Sequence, residues 1–272
     1  MLFVGLTGSI ATGKSTVSSL LSSPPYNLPI IDADLLARKV VEPGQPAYNK
    51  IVSHFLPSTP ELLVAPGLGM PENGPDGSGR PLNRPALGRR VFGDSDERKK
   101  DRAVLNGIVH PAVRWGMYKG ILGCYLKGYW GCVLDIPLLF ESQLDRLCGV
   151  VLVVGVRDPE VQMKRLMDRD PHLTREDAEN RVRSQGNVME KTQRCLERGE
   201  GKGLVVWNDG TKEELKEQVD KAMQQIRAQN PTWWQVLLLV CPPLAISMAA
   251  YRFWDNSHIN KRWEEKKERA RL

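Results

Sequence analysis

Eight residues near the start of the chain have the pattern of a loop that binds phosphate. The pattern G-x-x-x-x-G-K-[ST] is matched at every fixed position by Gly8-Ser9-Ile10-Ala11-Thr12-Gly13-Lys14-Ser15. In such a loop the backbone N–H groups bind phosphate oxygens, and the lysine, here Lys14, contacts the β- and γ-phosphates. The Ser15 hydroxyl is a ligand of Mg²⁺, and Thr16 assists near the α-phosphate. The motif therefore predicts a site for a nucleoside triphosphate with magnesium.

Three aspartates follow apolar runs and are candidates for the chemistry of phosphoryl transfer. Asp32 and Asp34 come after the run 29–31, where an open α/β sheet places its ligands. A carboxylate there can accept the proton of an acceptor hydroxyl or hold Mg²⁺ through water. The alternative is that Asp34 only caps the N-terminus of a helix. Asp135 ends the run 132–136 and is either a Walker B carboxylate at the magnesium ion or a solvated strand end.

A helical stretch rich in cations follows, and it is interrupted at Asp170-Pro171-His172. Its basic residues are Arg157, Lys164, Arg165, Arg169, Arg175, Arg181 and Arg183. Transfer of a phosphoryl group needs cations on the migrating group, and a small lid that carries arginines supplies them while it excludes water. Arg165 and Arg169, one helical turn apart before the interruption, are the candidates for this role. Most of the others are expected to form a solvated helix face.

Five short apolar runs must provide the strands that position these residues. They are residues 1–7, 29–31, 132–136, 150–156 and 204–207. Such runs are typical of strands buried on both faces, as in a parallel sheet that helices cover. Helical patterns lie between them, and residues 211–229 carry the last, with a capping box formed by Thr211 and Glu214. The sequence predicts an α/β domain over residues 1–228 with a five-stranded parallel sheet flanked by helices.

Two segments depart from this alternation. Residues 56–85 are dense in proline and glycine and are expected to form a surface loop, a floppy insertion. Residues 233–251 carry no charge, and as one helix they would be about 28 Å long, close to the thickness of a bilayer core. Aromatic residues at both ends favour a membrane-associated segment over a buried core helix. Pro242-Pro243 would kink a spanning helix or turn a hairpin, and both remain open.

Composition limits the partners of the protein. The 272 residues carry a net charge of +6, which fits an anionic substrate or a membrane surface and is too diffuse to indicate nucleic acid. The five cysteines are scattered without a Cys-x-x-Cys pair, so neither a zinc site nor a disulfide framework is predicted. The first residues do not have the pattern of a signal peptide, and we expect a reducing compartment.

Taken together, these motifs resemble the dephospho-coenzyme A kinase family. The resemblance covers about residues 1–210 and rests on L-T-G-S-I-A-T-G-K-S-T (6–16), I-D-A-D-L-L-A-R-K-V-V-E-P-G (31–44), N-R-P-A-L-G-R-R-V-F (83–92), H-P (110–111), L-D-I-P-L-L-F-E (134–141) and V-R-D-P-E-V-Q-M-K-R-L-M-D-R-D (156–170). It implies a P-loop nucleotide-kinase fold with a core, a helical lid over about 157–198 and an acceptor-binding region. It also implies transfer of the γ-phosphate of ATP to the 3′-hydroxyl of dephospho-coenzyme A.

The resemblance assigns roles by motif. Asp34 would orient and deprotonate the acceptor hydroxyl, with Lys14, Arg169 and Arg165 as the other catalytic residues. The residues placed on the acceptor side are Asp32, Arg38, His110, Pro137 and Leu138. The last two begin a segment on that side that runs to Glu141. Asn208 and Gly210 would lie against the adenine, and Ser15 and Asp135 would bind Mg²⁺. The family is commonly monomeric or weakly associating.

The insertion before Asn83-Arg84 and the C-terminal segment 229–272 depart from this family pattern. A membrane-associated C-terminus would place the kinase at the cytosolic face of an intracellular membrane: the endoplasmic reticulum, the outer mitochondrial membrane or a lipid droplet. Deletion after Asn230 is then expected to leave activity intact. The competing functions are another small-molecule P-loop kinase and a membrane-tethered nucleotide switch, although the chain has no N-K-x-D motif of switch GTPases.

Overall fold

Five strands form one sheet in the order β2-β3-β1-β4-β5. Their bounds are Leu2–Gly8 (β1), Ile30–Asp32 (β2), Gly131–Asp135 (β3), Val150–Gly155 (β4) and Gly203–Trp207 (β5). β1 pairs in parallel with β3 and with β4, and β4 pairs in parallel with β5. The prediction of a five-stranded parallel sheet is confirmed, and each strand lies within one residue of its apolar run at either end.

The computed structural model describes residues 1–67, 69–184 and 188–270. They divide into two units, Met1–Ile31 with Leu122–Leu272 and Asp32–Ile121. The helices are α1 (Lys14–Ser22), α2 (Ala33–Lys39), α3 (Pro46–Phe55), α4 (Arg84–Val91), α5 (Asp96–Leu126), α6 (Pro159–Arg169), α7 (Arg175–Ser184), α8 (Val188–Leu196), α9 (Lys212–Gln229), α10 (Thr232–Val240) and α11 (Pro242–Arg269).

The strands of the first unit are largely apolar because both faces of the sheet are covered. In β4, Val150, Leu152 and Val154 belong to one buried cluster with residues of α1 and α9, and the alternating Val151 and Val153 are also fully buried. α8 contacts β4 and β5. The predicted capping of α9 is confirmed, since Thr211 Oγ1 accepts the Glu214 N–H over 3.2 Å.

The second unit has a small apolar core of its own, and the Pro- and Gly-rich insertion contributes to it. Leu62 and Leu82, near the two ends of the insertion, are buried in a cluster with Tyr48, Ile51 and Phe55. A β-bridge joins Leu63 to Leu82. The expectation of a floppy surface loop over 56–85 is therefore corrected: the two leucines fix both of its ends. Leu68 lies outside the described residues.

The C-terminal segment differs from the predicted single hydrophobic helix. It forms two helices, α10 and α11, which meet at Cys241 with a bend of 112°. Pro242 and Pro243 begin α11, because proline suits the first turn of a helix and would disrupt its interior. Within the described ranges no single helix is long and apolar enough to cross a bilayer, and only the bent pair meets the criterion jointly.

The charged end of the chain is part of a packed helix. α11 continues through residue 269 and packs on a turn that follows β3, Leu144–Leu147. Asn256, Ile259, Asn260 and Trp263 lie one helical turn apart or adjacent and are buried. This buried stripe makes α11 part of the first unit, which extends to the end of the chain.

Candidate active site

The phosphate-binding loop connects β1 to α1, and side chains from outside the loop hold its backbone. Gln162 Nε2 donates to the Ile10 carbonyl oxygen over 2.7 Å, and Asn208 Nδ2 donates to the Thr12 carbonyl oxygen over 2.9 Å. Gly13 has a φ of 91°. A Cβ at Gly13 would lie 2.2 Å from Asn208 Nδ2, so both conformation and space require glycine. The loop is thus shaped by the protein itself.

Two features of this loop fit a phosphate group. Among the described residues, no side chain caps the N-terminus of α1, so its first N–H groups are available to an anion. Ser9 Oγ is buried and has no hydrogen-bond partner in the described part of the chain. A phosphate oxygen would supply the partner that a buried hydroxyl normally has.

Lys14 and Asp135 form an ion pair at the carboxyl ends of neighbouring strands. The register of the sheet places Asp135 of β3 opposite Leu6 of β1, and Lys14 Nζ donates to Asp135 Oδ1. The Asp135 side chain is only 5% exposed, so this residue is not a solvated strand end.

The donor set beside the loop also fits a magnesium ion that shares its ligands with phosphate. Mg²⁺ is usually bound by one or two protein oxygens together with phosphate oxygens and water. Asp135 supplies a carboxylate and Ser15 a hydroxyl of this kind. Within residues 1–67, 69–184 and 188–270 no three His, Cys, Asp or Glu side chains cluster to hold a metal by themselves.

The arginines of the predicted lid have different surroundings, some at the site and others in surface ion pairs. Arg165 Nη1 donates to the Asn208 carbonyl oxygen over 2.7 Å, which links α6 to the turn after β5. Arg169, the last residue of α6, is exposed. Arg175 pairs with Glu160 and Arg181 with Asp170 at the surface, as expected of a solvated helix face. The side chain of Arg183 and residues 185–187 of the predicted lid lie outside the described residues.

The turn after β5 connects these groups. Asn208 bonds the loop through Thr12 and accepts from Arg165, so the structure brings Asn208, the loop and α6 together. Gly210 lies just before α9, and a Cβ there would meet the Glu214 carboxylate. Arg157 stacks on the ring of Trp207, with its Cζ 4.6 Å from the ring centroid, and pairs with Asp209 over 3.1 Å.

Side chains from other elements bind the backbone of the segment that follows β3. The Pro137 carbonyl oxygen accepts from Thr7 Oγ1 over 2.9 Å and from Lys191 Nζ over 3.1 Å. Lys191 also pairs with Glu141 over 3.1 Å, and its side chain is 5% exposed. Leu138, between these anchors, is exposed. The chain therefore presents Leu138 on a fixed backbone.

A pocket in the second unit collects a different set of predicted residues. Asp34, Arg38 and Arg84 line a cavity of about 350 Å³. Its remaining wall is apolar: Ala37, Val41, Ile51, Leu82, Leu87, Leu105 and Val109. Asn83 caps α4 by accepting the Ala86 N–H over 3.3 Å, and this cap fixes where Arg84 begins the helix. The pocket combines one carboxylate and two guanidinium groups with apolar walls.

The structure corrects the capping alternative for the two aspartates. Asp32, not Asp34, caps α2, since its Oδ1 accepts the Leu35 N–H over 2.9 Å. The helix begins at Ala33, one residue before Asp34, which leaves the Asp34 carboxylate exposed in the first turn. His110 is exposed on α5 and does not line the pocket, although its neighbour Val109 does.

Comparison with known proteins agrees with this geometry. The sequence model of the family described as dephospho-CoA kinase matches residues 2–197. The Saccharomyces cerevisiae dephospho-CoA kinase CAB5 is 44% identical over 92% of this chain and 92% of its own length. The Bacillus cereus dephospho-CoA kinase is 43% identical over 80% of this chain and 93% of its own.

Solved structures agree as well. A dephospho-CoA kinase from Campylobacter jejuni is 25% identical with a TM-score of 0.57, and the match covers 84% of this chain and 98% of that one. The chain belongs to the dephospho-CoA kinase family. Its activity is accordingly transfer of the γ-phosphate of ATP to the 3′-hydroxyl of dephospho-CoA. Membership of this family decides against another kinase and against a nucleotide switch.

Three residues that the structure places at the site were given no role by the sequence analysis. Gln162 and Lys191 are polar residues on buried faces of α6 and α8, and that position in an amphipathic helix is the signal that could have found them. Arg84 stands within the N-R-P-A-L-G motif, so its place was visible although no role was given to it.

Proposed function

We propose that Asp34 is the general base of this dephospho-CoA kinase. The observation that carries the proposal is the pocket in which Asp34, Arg38 and Arg84 share an otherwise apolar wall. A free carboxylate can take the proton of the ribose hydroxyl as that oxygen attacks phosphorus. The arginines suit the anionic pyrophosphate of the acceptor, because guanidinium binds phosphate in a bidentate manner, and the apolar wall suits its pantetheine arm.

ATP is the donor, and we place its β- and γ-phosphates on residues 8–16. Lys14 neutralises charge on the β- and γ-phosphates, and the α1 N-terminus and Ser9 Oγ bind phosphate oxygens. Asp135 and Ser15 would hold Mg²⁺, which supplies neutralising charge to the phosphate oxygens when it is bound. The ion pair with Asp135 keeps Lys14 at the carboxyl end of β1.

The lid and the segment after β3 complete the proposed assignment. Arg169 supplies a cation to the migrating group, and Arg165 acts beside it while bonded to Asn208. Asn208 and Gly210 contact the adenine of ATP. Pro137 and Leu138 contact the acceptor, and His110 and Asp32 support its binding.

A panel of acceptors tests this assignment. Release of ADP is measured in a coupled assay with dephospho-CoA, pantetheine, adenosine and gluconate as acceptors, at constant ATP and magnesium. We expect turnover with dephospho-CoA alone and a product whose phosphate is on the 3′-oxygen. Arg84→Ala should raise the KM for dephospho-CoA and leave the KM for ATP unchanged. Equal turnover with pantetheine would contradict the proposed acceptor pocket.

We also propose that α10 and the start of α11 bind a lipid bilayer. Beyond Thr232 at its start, the exposed residues of α10 are apolar. Its polar Gln235 is instead buried, and Gln235 Nε2 donates to the Asn230 carbonyl oxygen over 3.0 Å. This inverts the pattern of a helix that faces water. The exposed apolar side chains are Trp233, Val236, Leu237, Leu239, Val240, Ile246, Tyr251, Phe253 and Trp254. We call these residues the apolar elbow.

The bend determines how this surface can bind lipid. Two helices bent by 112° cannot cross a bilayer as one rod, whereas they can lie in the interface with the apolar elbow among the acyl chains. Tryptophan and tyrosine at the ends of the elbow suit the headgroup region. The proposed location is the cytosolic face of the endoplasmic reticulum, the outer mitochondrial membrane or a lipid droplet, and the proposed state is monomeric or weakly associating.

Flotation on vesicles tests the lipid proposal. We expect the wild type to float with phosphatidylcholine–phosphatidylserine vesicles and Val240→Glu with Ile246→Glu to remain at the bottom. Trp115→Ser removes an exposed aromatic of the second unit and is the matched control, which should float. A wild type that stays with the soluble fraction and forms dimers through the elbow would overturn the proposal.

A further inference from the structure

Helix α8 is bonded on one side to the segment 137–141 and on the other to the C-terminal helix α11. The family model ends at residue 197, directly after α8, so α11 lies outside it. The contacts of α8, the last helix that the family model matches, therefore join the family domain to a helix beyond it. These contacts indicate how α11 can act on the enzyme.

The first side of α8 holds the segment that leads from β3 into the proposed acceptor side. Lys191 Nζ lies 3.1 Å from the Pro137 carbonyl oxygen and 3.1 Å from Glu141 Oε1. The Arg194 guanidinium carbon lies 5.0 Å from the centroid of the Phe140 ring. Because a buried lysine needs partners for its charge, Lys191 fixes both ends of this segment at once.

The second side of α8 is paired with α11 through charges. Arg194 Nη1 lies 3.3 Å from Glu264 Oε1, so the same guanidinium serves Phe140 and α11. Lys267 pairs with Glu190, and Lys266 pairs with Glu197 just after α8. Exposed ion pairs contribute little energy each, but several on one helix fix its register along the neighbour.

A buried polar network anchors α11 beside these pairs. Arg198 Nη1 donates to Asp145 Oδ2 over 2.9 Å, and the two side chains are 1% and 0% exposed. Arg198 follows α8 closely, and Asp145 follows the segment 137–141 closely. The ion pair thus connects the chain just after α8 to the chain just after the segment 137–141.

Helix α11 supplies further partners of this ion pair. Asn256 Oδ1 accepts from Arg198 Nη2 over 2.8 Å, and Asn260 Nδ2 donates to Asp145 Oδ1 over 3.2 Å. Asn256 Nδ2 also donates to the carbonyl oxygens of Arg146 and Cys148, each over 2.9 Å. A buried ion pair is stabilised when its other hydrogen-bonding groups have partners, and two asparagines of α11 supply partners to both of its residues.

We propose that α11 positions the segment 137–141 for dephospho-CoA, acting through α8 and the Arg198–Asp145 pair. The proposal rests on the assignment of Pro137 and Leu138 to the acceptor side. Asn256, Asn260 and Glu264 are positioning residues in this scheme, because they touch neither substrate. The nucleotide loop is held by other residues, Gln162 and Asn208, so a loosened α11 affects the acceptor and spares ATP.

Steady-state kinetics of the full chain test this coupling. Asn256→Ala should raise the KM for dephospho-CoA about tenfold, the effect of one lost buried partner, while the KM for ATP stays unchanged. Glu264→Gln removes only the negative charge of the exposed partner of Arg194 and should raise the same KM about twofold. Asp255→Asn breaks an exposed pair of α11 with Lys202, which lies outside α8, and is the matched control with no effect expected.

The outcomes separate this inference from the proposed function. Thermal unfolding of each variant is measured in parallel, and kinetics are run well below the lowest transition. If Asn256→Ala does not fold, Glu264→Gln decides alone. A wild-type level KM for dephospho-CoA in the variants, or equal rises in both KM values, overturns the positioning role. A wild type that does not phosphorylate dephospho-CoA would instead contradict the proposed function itself.

Discussion

Asp34 and Asp32 are two positions apart in the chain, yet their surroundings differ. The Asp32 carboxylate caps α2, while that of Asp34 stands at the rim of the apolar pocket beside Arg38. Asp34→Asn keeps the shape of the side chain and removes its ability to take a proton. We expect kcat to fall by about 10²–10⁴ with ATP affinity unchanged, as measured by stopped-flow phosphorylation and calorimetry.

Two further variants give this prediction its controls. Asp32→Asn retains an oxygen that can cap α2, so we expect a smaller loss of kcat. Asp94→Asn changes an exposed carboxylate elsewhere in the second unit and should leave kcat at the wild-type value. Unchanged turnover in Asp34→Asn would remove this residue from the role of base.

We expect Lys14 to differ from Asp34 in that both ATP binding and turnover depend on it. Its ammonium is held by Asp135 at the carboxyl end of β3 and is proposed to contact two phosphates of ATP. Lys14→Ala should weaken ATP binding by about 10- to 100-fold, the effect of a lost hydrogen bond to a charged group, and should lower kcat as well. Lys202→Ala, which removes a lysine from a surface pair, is the control. Unaltered ATP affinity would contradict the assignment.

At the scale of elements, sequence predicts best where one pattern determines one structure. The apolar run 150–156 is typical of a strand covered on both faces, and β4 is such a strand. The loop 8–15 was recognisable because the residues of its phosphate-binding motif are consecutive in the sequence. Hydropathy, in contrast, measures composition only, so for the charge-free residues 233–251 it left open one kinked helix or a hairpin. The structure divides them into two helices just before Pro242-Pro243.

The parts of the site that sequence could not predict are those made by distant residues. Lys191 bonds Pro137 across more than fifty residues of chain, and Gln162 bonds Ile10 across more than one hundred. Each contact joins residues that are far apart in the chain, and a lysine in a helix is normally solvated. The asparagines of α11 are a further example, since Asn256 is marked by nothing in the sequence but its position among charged residues.

The packing of α11 changes the expected effect of truncation. The sequence suggested that deletion after Asn230 leaves activity, because the tail was taken as separate from the kinase. The deletion instead removes Asn256 and Asn260 from the buried Arg198–Asp145 pair. We expect the free energy of unfolding to fall by about 3–5 kcal/mol, measured by urea denaturation. A cut after residue 269 leaves all of α11 and its buried residues in place and should have no effect.

At the scale of the whole molecule, the distribution of cysteines provides a probe that requires no mutation. Cys124, Cys132, Cys148 and Cys195 are buried, and Cys241 at the bend of the apolar elbow is partly exposed. Burial raises the pKa of the Cys132 and Cys195 thiols to about 12. Because the thiolate is the reactive form, these thiols are protonated at pH 8 and unreactive, so a thiol reagent should find Cys241 first.

We therefore expect a charged maleimide to modify the native protein at one thiol, and the denatured protein at all five. Vesicles should slow the modification of Cys241, because an elbow inserted among acyl chains removes its thiol from water. The measurement is intact mass against time, with and without vesicles. Val240→Glu with Ile246→Glu should restore rapid modification in the presence of vesicles, and Trp115→Ser should remain protected. Equal rates with and without vesicles in the wild type would show that the elbow faces water or another protein chain.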